Sequence, residues 1–250
     1  MRPRANKALG YVGAIVVLLV GWELLALAID SPALPPPTSA LPAFVELFGE
    51  ILPHILISAW RVLAALIIGS AMAVPLGLML GRSPRVDAVA APIVFLSYPV
   101  PKVVFLPVLM VLLGLGSVSK IALITLIIFF QILVTARDAA RAIPAGSVLS
   151  VRSLGAGTAQ VFRHVVFPAA LPEIFTALRI GSGTAIAVLF LTESVAGTSG
   201  LGYYIVDAWG RIDYNAMFAG IIGMAILGVV LYELLELLEA RACRWTRVGK

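Results

Sequence analysis

One cysteine and two histidines in 250 residues leave this chain little with which to do chemistry. A lone Cys243 excludes an internal disulfide and a multi-cysteine metal site. His54 and His164 stand far apart in the sequence, so they found no metal cluster, and His164 beside Arg163 reads as a solvated loop residue. Charge is scarce as well: Asp, Glu, Lys and Arg make up 12% of the residues, where a soluble domain has roughly a quarter. No Gly-x-x-x-x-Gly-Lys-Ser/Thr occurs, so the loop that usually cradles ATP phosphates is missing. The glycines of GTSGLGYY, residues 197–204, lack the strand and helix context of a dinucleotide site. A membrane-embedded enzyme would need acids or histidines clustered near one interface, and no such cluster is present.

What the chain has in abundance is apolar length. Hydrophobic residues make up 61% of it and the mean hydropathy is +1.05. About 20 apolar residues cross a bilayer as a helix. Six such runs are expected, at about 9–29, 55–81, 88–113, 118–136, 174–196 and 216–238, forming one all-α transmembrane domain over residues 1–250 with the lipid bilayer around it. The first run is too long, and lacks a small-residue cleavage site, for a removable signal peptide; it reads as a signal anchor. The net charge of +5 lies in short clusters between runs, which argues against nucleic-acid binding and for topological information. Arg2, Arg4 and Lys7, then Arg82 and Arg85, then the residues around Arg137 to Arg163, then the C-terminal arginines all fall on one side, with Lys120 and Arg211 on the other. The positive-inside rule therefore places both termini and the segment 137–173 in the cytoplasm.

Several local features refine this picture. Leu34-Pro35-Pro36-Pro37 is too proline-rich for a helix, and in the following AFVELFGEIL the residues Phe44, Leu47, Phe48 and Ile51 form a stripe suited to an interfacial helix or a packed connector. Trp60 and Arg61 suit the headgroup layer. Gly77 and Gly81 permit close helix packing. Pro92, Pro99, Pro101 and Pro107 interrupt the third run, and freed backbone groups at membrane depth are tolerated against protein or a water-filled cavity, so this run should line a pathway. Lys102 near its middle either serves an anionic solute as a transient counter-charge, pairs permanently with Glu193, or lies near an end of a shifted span. Glu193 is either that mate or a pathway residue, with pairing favoured; Gln131 is a further candidate for the pathway. The fifth run is rich in small residues, Gly181 to Ala187, which suits a packed interface.

The long polar interruption is PAGSVLSVRSLGAGTAQVFRHVVFPAALP, Pro144 to Pro172. Val148, Val151 and Leu154 recur at helical spacing, Gly155-Ala156-Gly157 supplies a turn, and Thr158 is the candidate N-cap of a second short helix ended by Pro168. On that helix Val161, Phe162, Val165 and Val166 share a face opposite Gln160, Arg163 and His164.

The run SLGAGTAQVFRHVVFP, with AALP and LRI after it, resembles the cytoplasmic "EAA" loop of binding-protein-dependent ABC importer permeases, the nitrate, sulfonate and taurine branch above all. Gly155 matches the loop glycine and Val165-Val166-Phe167-Pro168 its tail, while Leu149-Ser150-Val151 stand where Glu-Ala-Ala would be. The resemblance implies the type I importer permease fold in a bacterial inner membrane, two copies of the chain around a shared path, two separate ATPase subunits beneath and an extracytoplasmic binding protein above. It implies no enzyme activity and no cofactor in this chain, ATP being bound by the partner. Arg152, Gly155 and Arg163 would serve the ATPase contact, with Val161 and Phe162 packing in its groove or against the permease's own helices and Pro168 closing the loop. The solute would be small and anionic, such as a sulfonate, nitrate or taurine. The competing reading, a self-sufficient secondary transporter or channel, would show an internal repeat and more ionisable pairs at mid-membrane than Lys102 and Glu193.

Overall fold

The computed structural model describes residues 3–247, and every regular element among them is helical. Five helical stretches are long and apolar enough to cross a membrane, and a sixth span is obtained when one sharply bent pair is taken together. The first helix, α1 (Pro3–Ile29), touches the rest of the chain near its end: Trp22 Nε1 donates to the Pro35 carbonyl at 3.1 Å, its ring lies 5.4 Å from Phe218, and Glu23 accepts from the Thr38 hydroxyl at 3.0 Å.

The proline run, expected to exclude helix, instead starts one. Pro37 opens α2 (Pro37–Glu46), because a first-turn residue has no helical partner for its N–H and proline's fixed φ already suits the position. After Leu47 the chain enters α3 (Phe48–Arg82), which begins earlier than the expected span and runs through Pro53 and Pro75. Of the stripe, Ile51 is fully buried and Phe44 and Leu47 pack against the core, as a packed connector requires, while Phe48 is 43% exposed.

α3 lies against α6 (Ser117–Ala142), and the glycine pair explains how closely. A Cβ on Gly77 would sit 2.6 Å from the Leu133 carbonyl, and one on Gly81 would strike the Arg137 carbonyl. These glycines are consumed inside the chain, where bare backbone lets the two helices touch.

Between them the third run is broken. α4 (Pro84–Ser97) and α5 (Leu106–Leu113), joined through a 3-10 turn at Lys102–Phe105, are bent by 81°. Pro99 and Pro101 fall at the break, where each lacks the N–H that a continuing helix would need. At its start α4 is tied to α6 by Arg137, whose Nη2 donates to Asp87 at 2.7 Å and whose guanidinium lies over the Phe95 ring.

Beyond α6 come α7 (Ala145–Ser153), α8 (Thr158–Val161), a π turn at Phe162–Val166, and α9 (Phe167–Ala196). Pro168 does not end the short helix, as expected from the sequence; it sits in the first turn of α9, and the wider π turn before it accommodates the lost hydrogen bond. One apolar rod therefore runs from Thr158 to Val195. The stretch after it holds a helix that the glycines concealed, α10 (Leu201–Gly210), with Leu201, Tyr204, Ile205 and Ala208 buried at i, i+3, i+4 and i+7. Finally α11 (Tyr214–Ala242) packs on α9, α10 and α2, and Arg179 of α9 meets Glu239 of α11 at 3.1 Å. The main core joins α3, α6, α9, α10 and α11 around Leu123, Ile128, Leu189 and Leu201.

Candidate functional site

At one end of the bundle the chain makes an elbow of α7 and α8. Gly155 forms the corner with φ +86, a conformation that costs a residue with a Cβ about 1–2 kcal/mol. The N-cap of α8 is Gly157 instead of Thr158; its N–H donates to Gln160 Oε1 at 2.8 Å. Val148, Val161 and Val166 are buried in a second core with Leu78 of α3, Ala136 and Ala140 of α6, and Ala170 and Ile174 of α9; Phe162 and Val165 pack on its margin. Arg152, Arg163, Gln160 and His164 face outward. So do two large apolar side chains, Leu149 at 63% and Leu154 at 85% exposure. The elbow is rigidly seated yet keeps a basic and apolar tip free, while Pro168 sits at its root, half-buried.

Half-way along the bundle, Lys102 and Gln131 line a common cleft of about 400 Å³ with Tyr98, Val100, Thr184 and Val188. The Lys102 ammonium donates to the carbonyls of Ser97 (3.1 Å), Tyr98 (3.0 Å) and Val100 (3.3 Å), and stands 4.5 Å from the centre of the Phe130 ring. It thereby satisfies acceptors that the broken helix leaves without partners. Gly181 of α9 presents bare backbone to the Gln131 amide.

Glu193 is elsewhere, which overturns its pairing with Lys102. At the end of the bundle remote from the elbow it is fully buried, and Arg61 Nη1 donates to its Oε1 at 2.7 Å. Ser58 Oγ lies 2.8 and 2.9 Å from its two oxygens, and the Gly202 N–H donates to Oε2 at 2.9 Å. Arg61, expected with Trp60 at the headgroup layer, instead turns inward at 3% exposure, while Trp60 is 64% exposed. Its remaining donors bind Ser117 Oγ, the Ser199 carbonyl and Ser199 Oγ. His54 Nδ1 accepts from the Gly200 N–H at 3.1 Å and Ser58 Oγ from the Leu201 N–H at 2.8 Å. Three residues at i, i+4 and i+7 on one face of α3 thus hold the backbone between α9 and α10. Lys120, counted from the sequence among the basic residues on the outer side, is 1% exposed in the first turn of α6, 3.5 Å from the Leu115 carbonyl. Beside this network burial raises the Tyr204 phenol above its ordinary range, the Glu50 carboxylate adding to the effect.

Sequence reasoning missed His54, Ser58 and Lys120 and misplaced Arg61. The available signal was Glu193 itself: a carboxylate in an apolar span needs a cation and several donors, and His54, Ser58 and Arg61 recur at helical spacing in the neighbouring span.

Five helices long and apolar enough to cross a membrane, with a broken sixth beside a polar cleft and a seated helical elbow at one end, make the architecture of a membrane-embedded helical bundle. The chain belongs to the family described as binding-protein-dependent transport system inner membrane component, whose model matches residues 73–243; it is a permease component of the ABC importer type. It is 34% identical to the taurine transport system permease protein TauC of Escherichia coli (strain K12), over 97% of this chain and 92% of that one. It is 30% identical to the putative aliphatic sulfonates transport permease protein SsuC of Bacillus subtilis (strain 168), over 92% of this chain and 84% of that one. Among solved structures, an inward-facing form of the MetNI methionine ABC transporter shares the fold, with a TM-score of 0.63 at 22% identity, covering 80% of this chain and 97% of that chain.

Proposed function

We propose that two copies of this chain form the membrane path of an ATP-driven importer for a small anionic solute of the sulfonate class. Two ATPase subunits dock under the elbows on the cytoplasmic side, and an extracytoplasmic binding protein delivers the solute above. The observation that carries this reading is the elbow. Leu149, Leu154, Arg152 and Arg163 offer a free basic and apolar surface, and Val148, Val161 and Val166 fasten the same element to three spans. Force applied at the tip would reach α3, α6 and α9 through close packing, which favours discrete over gradual rearrangement. In this topology both termini are cytoplasmic, and the Glu193 network faces outward.

A second copy is supported by the broken span. Along α4 one residue, Val94, is buried, while Val89, Ile93 and Leu96 are 64–76% exposed and the break at Tyr98 to Pro101 lies open beside them. Irregular backbone does not face lipid tails, so this surface needs protein or a shared aqueous path over it. The sulfonate class is supported by the relatives TauC and SsuC, which are named for taurine and aliphatic sulfonate transport. The test is reconstitution in proteoliposomes: uptake should require the ATPase and ATP. Full-rate uptake with no ATPase present would instead favour a self-sufficient transporter, and failure of a soluble ATPase to co-purify would count against the elbow's role.

A further inference from the structure

Once Glu193 is assigned to Arg61, Lys102 is left without a counter-charge. No carboxylate pairs with it among the described residues. Its partners are three main-chain carbonyls and the faces of Phe130 and Tyr98, which supply partial negative charge and leave a whole positive charge uncompensated at mid-span. A cation in that position is costly unless something neutralises it. Beside it lies a cleft of about 400 Å³, ample for a small organic anion, and Gln131 and Thr184 bring an amide and a hydroxyl to the same walls. Thr184 is exposed, and among the described residues neither the Gln131 amide nor the Thr184 hydroxyl has a hydrogen-bond partner that would occupy it.

We propose that this cleft is a way-station for the transported anion, resting on the importer reading above. The Lys102 ammonium takes one oxygen of a sulfonate or similar oxyanion, and the Gln131 amide and Thr184 hydroxyl donate to the others. The Phe130 ring keeps the ammonium from finding water as a substitute. The missing counter-ion is then the cargo itself, present in passing.

Cys243 is buried at 1% exposure and distant in sequence from the cleft, so Cys243→Ser provides a thiol-free background. In proteoliposomes holding the permease with its ATPase and binding protein, taurine, a short alkanesulfonate and nitrate serve as probes. Lys102→Cys should lower uptake of the transported probe about tenfold, while ATP hydrolysis stimulated by the binding protein stays within about twofold. Treatment with 2-aminoethyl methanethiosulfonate, which restores a cation on a similar tether, should return most of the uptake; 2-sulfonatoethyl methanethiosulfonate should not. Gln131→Leu, which leaves the carbonyl cap intact, should also slow uptake without slowing hydrolysis. Unchanged uptake in Lys102→Cys, equal recovery with both reagents, or a parallel loss of uptake and hydrolysis would overturn the proposal, the last by making Lys102 a cap of the broken helix and nothing more. Wild-type protein that moves none of the probes defeats the anionic-solute reading on which this proposal rests before any substitution is made, so the two failures are distinct.

Discussion

Arg61 of α3 and Glu193 of α9 meet at 2.7 Å with 3% and 0% of their side chains exposed, far from the residue first expected to neutralise the carboxylate. Removing one member of a buried pair strands the other charge, at a cost of about 3–5 kcal/mol, whereas replacing both with apolar residues is often nearly neutral. Arg61→Met should therefore lower the unfolding midpoint of the detergent-solubilised protein sharply. Arg61→Met combined with Glu193→Leu should recover part of the loss; a double variant as unstable as the sum of the singles would show that the pair does not act as one.

The loop beside that pair depends on bare backbone at Gly200. Its φ is +103, and a Cβ there would land on the Glu193 carboxylate. Gly200→Ala should cost at least as much as the conformational penalty of about 1–2 kcal/mol, and it should also loosen the loop, read as faster amide exchange at Gly200 and Leu201. Gly183→Ala is the matching control, since a Cβ there meets nothing, and an alanine within a helix should be neutral or stabilising by up to about 1 kcal/mol.

At the elbow the expected effect lies in function. Gly155 has a positive φ but open space around its α-carbon, so a β-branched side chain strains the corner without a clash. Gly155→Val should leave membrane insertion and yield unchanged while lowering ATP-dependent uptake several-fold. Uptake at the wild-type rate would remove Gly155 from the coupling path.

Gly77 and Gly81 make the opposite prediction. Because a Cβ at either would meet α6 backbone, Gly81→Leu should disrupt the α3 and α6 contact and destabilise the single chain by an amount typical of core overpacking, about 1–3 kcal/mol or more. The loss should appear in the folding of the chain, measured by thermal unfolding, and be independent of protein concentration. A concentration-dependent loss would place these glycines between copies.

Burial, helped by the Glu239 carboxylate, raises the Cys243 thiol above its usual value. Its neutral form is favoured in the folded state, so the stability it contributes is present below the free-thiol range of about 8.5 and is lost as the pH climbs through the raised value. Alkylation by iodoacetamide should be slow in native protein at pH 8 and fast after denaturation, and wild type should lose more stability than Cys243→Ala between neutral and alkaline pH.

Membrane class, the number of apolar helical runs and the two-helix elbow could be read from the chain itself, because each depends on local composition and period. Apolar length sets where a helix can lie in lipid, and alternation of Val148, Val161 and Val166 with Arg152 and Arg163 sets which side of the elbow is buried. Charge pairing could not be read this way. Lys102, Arg61, Lys120 and Glu193 are four ionisable residues in apolar surroundings, and nothing in their linear order says which cation stands beside the carboxylate. Folding answered by bringing α3 across the end of α9, giving Glu193 to Arg61 and leaving Lys102 to the carbonyls of a broken helix. Hydrophobic patterning is a property of neighbours in sequence, whereas Coulomb energy falls with distance in space and is decided when distant helices meet.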